Sequence, residues 1–383
     1  MLDCSKIEDK CTGCGACANC CPKRAISLTY NEEGFYFPQI DTTICIDCGL
    51  CEKVCQVVSG DIKETDKLKS YYLQIKDSAV LKASSSGGAF SAISNIILDD
   101  GGVVFAARYD FECECLEHAS TDQYPLDDFR KSKYIESFIG RTYVQVKESL
   151  KIGRKVFFIG TPCQVIGLKN YLGKMADDEN LLTVDLICHG VPSNKHFTEY
   201  KHYLEKKNSS KIKNFDFRNK RDGWHYLLLL LFASNKKKYV GYNDSYYFDA
   251  FNKNKLLRKS CYTCDAINHS RADITIGDFW GIKKFKPEYT GADGLSVLVA
   301  HTSSGVNVIE KLRNNSNVEE IPLSAIEYIY QNRANDPKYD LSKRDGFASS
   351  VKKNGYMRAV KVDYWKKMYK YRVKSIIKKA LNI

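Results

Sequence analysis

Residues 11–22 read CTGCGACANCCP and residues 45–56 read CIDCGLCEKVCQ. Each copy sets cysteines at relative positions 1, 4, 7 and 11, the run in which three thiolates close one iron–sulfur cube and the fourth crosses to a second. This spacing assigns Cys11, Cys14, Cys17 and Cys55 to one 4Fe–4S cluster, and Cys45, Cys48, Cys51 and Cys21 to another. Gly13, Gly15 and Gly49 let the backbone bend around the inorganic core. A disulfide framework is the first alternative, but it belongs to secreted chains, and the opening MLDCSKIEDK lacks the apolar stretch of a signal peptide. Zinc knuckles are the second, and three cysteines at successive spacings of three suit a tetrahedral ion poorly. The second copy ends in Cys55-Gln56 where proline is usual, and Cys4 and Cys20 lie outside the pattern.

At 383 residues the chain exceeds a ferredoxin and suits two or three folded units. Its longest apolar run, Tyr226 to Ala233, is too short to span a bilayer and reads as a buried strand. The formal charge is +12, but each ligated cluster contributes about −2, so nucleic acid is not an expected partner. Sixteen cysteines without an export signal suggest a reducing, cytoplasmic compartment.

Between the cysteine runs, AISLTYNEEGFYFPQID reads as a hairpin turning at Asn31–Gly34. The pattern predicts a two-cluster domain over residues 1–60, a charged linker over 61–70, a larger oxidoreductase domain over 71–345 and a basic helical segment over 346–383. That last segment, VDYWKKMYKYRVKSIIKKALNI, carries Trp365, Met368, Tyr369, Val373, Ile376 and Ile377 on one stripe. It reads as a helix docked on its own domain, with peripheral membrane contact as the alternative.

Strand-then-helix units dominate the larger domain. Lys155–Ile159 ends in Gly160-Thr161-Pro162-Cys163, and Leu181–Ile187 ends in Cys188-His189-Gly190; ligand groups gather beyond such strand ends. Cys261 and Cys264 form a CxxC. With Cys163 and Cys188 they make four thiolates, enough for a third cluster, which would extend the wire, or for one structural zinc. Cys113 and Cys115 read as bystanders. Ser85, Ser86, Gly87 and Gly88 precede an apolar helix, where an ordinary cap and a phosphate seat are both open readings. The histidines form no triad or metal pair, and the sequence leaves the catalytic residues unknown.

Taken in order, the doubled cysteine motif, SSSGGAFSAI at 84–93, KSKYIESFIG at 131–140, FIGTPCQVIGLKNYL at 158–172, DLICHGVPS at 185–193, FRNKRDGW at 217–224 and CYTCDAINHSRADITIGDFWG at 261–281 resemble the family of coenzyme F420 hydrogenase/dehydrogenase beta subunits, in the form with a fused ferredoxin module. The resemblance implies FAD, with Ser85, Ser86, Gly87 and Gly88 around its diphosphate and Lys133 and Tyr134 against the cofactor. It also implies that Cys163, Cys188, Cys261 and Cys264 ligate the third cluster. Related reductases act on substrates other than the deazaflavin, so the resemblance does not name the substrate.

A carrier that converts electron pairs to single electrons is needed on physical grounds as well, because iron–sulfur cubes pass one electron at a time. The expected fold is an α+β ferredoxin-like two-cluster module followed by an α/β, mixed-sheet, flavin-binding domain. The expected activity is an FAD-dependent iron–sulfur oxidoreductase exchanging hydride with coenzyme F420 or another reducible substrate. Its partners would be a ferredoxin or redox subunit and a small-molecule hydride donor or acceptor, in a possible oligomer. The alternative is a non-catalytic electron-transfer subunit of a larger redox complex.

Overall fold

The computed structural model describes residues 2–60, 66–266, 268–289, 291, 293–329 and 339–380. Residues 61–65 of the expected linker lie outside the described residues, and its last two, Lys69 and Ser70, begin a strand. Its strands are β1 (Ile26–Tyr30), β2 (Tyr36–Ile40), β3 (Lys69–Ile75), β4 (Val103–Asp110), β5 (Cys115–Ser120), β6 (Ser137–Phe138), β7 (Val156–Gly160) and β8 (Leu181–Leu186), followed by β9 (Ile212–Asp216), β10 (Leu227–Phe232), β11 (Lys237–Gly241), β12 (Ile274–Asp278), β13 (Ser296–Ala300) and β14 (Ser316–Ile321).

Asn31 closes the predicted hairpin by accepting from the backbone N–H of Phe35, and β1 pairs antiparallel with β2 from Ile26↔Ile40 to Tyr30↔Tyr36. Among the described residues the largest sheet has nine strands in the order β14-β3-β13-β12-β8-β7-β4-β5-β6. The run β12-β8-β7-β4 is parallel, while β13, β3 and β14 join antiparallel, so the domain is a mixed α/β sheet. Every residue of β7 (VFFIG) and β13 (SVLVA) is buried, as continuous apolar strands covered on both faces must be.

Helix Ala89–Asp99 covers one face through Ile93 and Ile97. Helices Thr142–Lys151 and Pro162–Leu172 cover the other, and Ala16 and Val54 from the cysteine-rich module share their apolar cluster with Val165 and Leu168. The N-terminal module is thus packed into the core of the larger domain.

The apolar run at Tyr226–Ala233 becomes β10, centre of a separate antiparallel sheet β11-β10-β9. Helices Asn194–Asn208, Tyr246–Asn252 and the C-terminal pair Leu341–Asn354 and Tyr356–Ala380 pack around it. Phe347, Tyr356 and Val360 are buried there, while Trp365 and Tyr369 are exposed. The side chains of Val373, Ile376 and Ile377 lie outside the described residues. No described helix is long and apolar enough to cross a membrane.

Candidate iron–sulfur and flavin sites

Local backbone geometry builds both cysteine loops alike. Gly15 (φ 77°) and Gly49 (φ 72°) sit in the left-handed region and start the short helices Ala16–Cys20 and Leu50–Lys53. One cavity is lined by Cys11, Cys14, Cys17 and Cys55, and another by Cys21, Cys45, Cys48 and Cys51. These are the two sets that the sequence spacing assigned, including the crossover of each fourth cysteine. None of the sixteen cysteines is in a disulfide.

Burial pushes the thiols of Cys11, Cys14 and Cys17 upward, and each is raised further by its cysteine neighbours. Crowded thiols of this kind become thiolates only when a metal centre takes the proton's place. Among the described residues, no three of these sulfurs lie within 4.8 Å of one another. A zinc ion with thiolates at ~2.3 Å would draw them closer than that. The donor set and its spread therefore fit a multi-iron cube better than a single ion. Cys20, beside the second set, is pushed up to about 12 by burial.

Cys163 lies in the first turn of helix Pro162–Leu172, behind a capping box made by Thr161 and Gln164. The Thr161 hydroxyl is 3.1 Å from its sulfur. Burial holds the Cys163 thiol far above its ordinary value, and Cys264, Cys188 and Cys14 add to the shift. The backbone N–H of Gly190 donates to the Cys188 sulfur at 3.3 Å. A Cβ built on Gly190 would sit 3.2 Å from the Cβ of Cys261. Distant in sequence, the four cysteines are brought to one place, at the carboxyl ends of neighbouring strands β7 and β8 and the Lys259–Thr263 turn.

The inner cavity is fastened directly to this third set. Arg258, three residues before Cys261, donates to the Cys11 carbonyl at 2.6 Å and the Tyr36 carbonyl at 2.7 Å. It also pairs with buried Glu136, which accepts from the Tyr36 N–H at 3.0 Å. The Tyr143 hydroxyl donates to the Cys14 carbonyl at 2.8 Å, and Gln56 reaches the Cys163 carbonyl at 2.9 Å. Sequence reasoning missed Arg258, Glu136 and Tyr143, and noticed Gln56 only as a missing proline.

The next strand, β12, ends beside β8 and carries Asp278 and then Trp280. Arg218, fully buried, grips Asp278 at 2.7 and 3.3 Å and donates to the Tyr134 hydroxyl at 3.0 Å. Its guanidinium lies 4.9 Å from the Trp280 ring and 4.8 Å from the Tyr226 ring. Trp224 stacks on Trp280 at 4.4 Å and donates to Asp278 at 3.2 Å.

Lys220 donates to the carbonyls of Leu81 and Ser86; burial pulls its pKa down to about 8. Lys133 donates to the carbonyls of Ala107, Arg130 and Lys131, and burial lowers it to about 7. Neither lysine is hydrogen-bonded to a carboxylate, whereas Arg218 is paired with Asp278, and among the described residues its Nε lacks a hydrogen-bond partner. Two such lysines beside the Ser84–Gly88 loop fit an anionic group such as a diphosphate.

Other features of that loop serve the protein itself. Ser85 Oγ accepts from the Ser132 N–H at 2.7 Å, and Ser86 Oγ donates to the Leu295 carbonyl at 2.6 Å. A Cβ on Gly87 would meet the Leu73 oxygen at 2.0 Å, so strand packing alone demands glycine there. Gly88, at φ 92°, starts helix Ala89–Asp99, whose first turn leaves N–H groups without helical partners.

Residues 153–325 match the family described as the C terminus of the beta subunit of coenzyme F420 hydrogenase/dehydrogenase, and residues 10–58 match a 4Fe–4S dicluster domain. The chain carries the C-terminal domain of these beta subunits behind a 4Fe–4S dicluster domain. Among its relatives, the F subunit of the F(420)H(2) dehydrogenase of Methanosarcina mazei is 22% identical over 341 residues, covering 84% of this chain and 88% of the relative. The coenzyme F420-dependent sulfite reductase of Methanocaldococcus jannaschii is 24% identical over 335 residues, covering 81% of this chain and 47% of the relative. The chain thus spans about half the length of that reductase. A chain of the F420-reducing NiFe hydrogenase complex from Methanosarcina barkeri overlaps at a TM-score of 0.47 and 17% identity, covering 76% of this chain and 94% of that one. The chain is thus similar to oxidoreductase subunits over its larger domain and to 4Fe–4S dicluster domains at its amino end.

Proposed function

We propose that the chain is an iron–sulfur flavoprotein oxidoreductase that exchanges hydride with an organic partner, coenzyme F420 or another reducible molecule, and single electrons with a redox partner protein. The observation that carries this reading is the sequence of sites. An outer cysteine cavity and an inner one precede a third cysteine set, which adjoins a cation-lined, aromatic-walled site at the end of β12. Cys11, Cys14, Cys17 and Cys55 would hold the inner cluster, Cys21, Cys45, Cys48 and Cys51 the outer one, and Cys163, Cys188, Cys261 and Cys264 the third.

FAD bound against the Ser84–Gly88 loop would supply the conversion between hydride and single electrons. Lys220, Lys133 and the first-turn N–H groups after Gly88 would neutralise its diphosphate, while Lys131 is already paired with Asp216. Arg218, fixed by Asp278 and Tyr134, would keep a positive charge over the reacting region, and the stacked Trp224 and Trp280 would orient planar rings and exclude water. The competing reading, an electron-transfer subunit without a flavin, is favoured by the commitment of the Ser85 and Ser86 hydroxyls to protein partners.

Anaerobic reconstitution followed by iron, sulfide and flavin analysis separates the two. Three clusters and bound FAD, with turnover of reduced coenzyme F420 or another hydride donor by the isolated chain, are expected. Iron-replete protein that neither retains nor binds FAD would overturn the catalytic half.

A further inference from the structure

The two cysteine phrases end differently. The first copy runs Cys21-Pro22, the second Cys55-Gln56. Gln56 opens the helix Gln56–Ser59, and Cys55 before it is extended at φ −75° and ψ 113°. Proline suits that backbone, because its missing N–H costs nothing in a first helical turn and the residue ahead is already extended. The backbone alone therefore does not call for a glutamine side chain.

That side chain is only 7% exposed, and its Nε2 donates to the Cys163 carbonyl at 2.9 Å and to the Thr12 hydroxyl at 3.2 Å. One amide group therefore joins the inner cysteine loop to the third cysteine set. Close packing reinforces the junction: a Cβ on Gly167, four residues along the helix from Cys163, would come within 3.0 Å of the Cys14 sulfur. The outer cavity has Pro22 at the corresponding place, with no side-chain donor to offer.

We propose that Gln56 is a positioning residue for electron passage between the inner cluster and the third cysteine site, fixing their separation. The inference rests on the cluster assignment above. The step is a one-electron exchange: one cluster loses an electron, the other gains it, and no proton or covalent bond moves.

The test uses the full chain, anaerobically reconstituted, carrying Gln56→Pro. Iron and sulfide content should match the parent protein. In electron paramagnetic resonance of the reduced protein, the spin–spin interaction between the inner cluster and the third site should weaken, while that between the inner and outer clusters should not change. Rapid mixing with a one-electron reductant should show slower arrival of electrons at the third site. Should Gln56→Pro lose iron, Gln56→Leu gives the same reading without altering the backbone. An iron-replete variant with an unchanged spin–spin interaction and unchanged transfer rate overturns the inference alone. A parent protein that takes up no iron and sulfide overturns the cluster assignment beneath it.

Discussion

The two cysteine phrases share a backbone and differ in almost everything around it. The inner loop is enclosed: a Cβ on Gly13 would meet Glu136 Oε1 at 2.7 Å, and one on Gly15 would meet the Ile139 Cβ at 3.2 Å. Around the outer loop nothing lies within 4 Å of a Cβ on Gly49, Cys48 is exposed, and Ile44, Ile46 and Leu50 are 46%, 57% and 40% exposed. Short-range sequence thus sets the chemistry of a loop, whereas tertiary surroundings decide whether it faces a partner or feeds the interior. Under the proposed function, the outer cluster meets the redox partner and the inner one passes electrons to the third site.

Removing one ligand from each loop tests this division with the largest effect. Cys14→Ala and Cys48→Ala should each lower iron content by about four atoms. Cys14→Ala should abolish electron passage from the N-terminal module to the larger domain, because it removes the cluster packed against Cys163. Cys48→Ala should leave passage from inner cluster to third site intact and cut exchange with an external protein donor. Stopped-flow reduction of each variant by a small reductant and by a ferredoxin distinguishes them. Identical behaviour with both donors would erase the distinction between the loops.

Both cysteine groupings of the N-terminal module could be read from the chain, since eight cysteines in two close-spaced runs leave one pairing rule. The hairpin between them was equally legible, as were β7 and β8, whose apolar runs end in Gly160 and in Ile187-Cys188. Less could be read wherever a contact spans distant segments. Arg258 pairs with Glu136 and caps Cys11, residues separated by more than a hundred positions in the chain, and no local pattern marks such an arginine. Residues 226–233 announced a buried strand but not its sheet, because strand order depends on long-range pairing. Ser85, Ser86 and Gly87 carried an ambiguous motif, and their protein partners Ser132, Leu295 and Leu73 explain much of it without a ligand. The cations and tryptophans opposite them lay within recognisable segments, yet their convergence needed the fold.

The second test concerns what holds the inner loop in place. Arg258→Leu would strand the Glu136 carboxylate in the interior and free two carbonyls, costing about 3–5 kcal/mol of unfolding free energy. Lys259→Met, at the neighbouring position, removes a pair with Asp9 in which both side chains are substantially exposed; such a pair contributes ~0–1 kcal/mol. Denaturant titration of the two variants reads the difference directly. The double variant Arg258→Leu with Glu136→Leu should recover part of the loss, since the stranded charge disappears with its partner. A loss below about 1 kcal/mol in Arg258→Leu would mean the module is held mainly by Ala16 and Val54 in the shared apolar cluster.

The smallest effect, and the sharpest comparison, comes from adding one methyl group to each loop. Gly13 and Gly49 have φ of 68° and 72°, so alanine at either should cost about 1–2 kcal/mol through left-handed strain alone. At Gly49 the methyl meets open space, and the loss should stop there. At Gly13 it would come within 2.7 Å of Glu136 Oε1 and 2.9 Å of Arg258 Nη1, forcing the buried pair to move and adding about 1–3 kcal/mol. Subtracting one loss from the other cancels the backbone strain and leaves the cost imposed by the inner surroundings. Equal losses would mean that the contacts of Arg258 and Glu136 yield as readily as solvent, and the inner loop would then be no more firmly seated than its exposed counterpart.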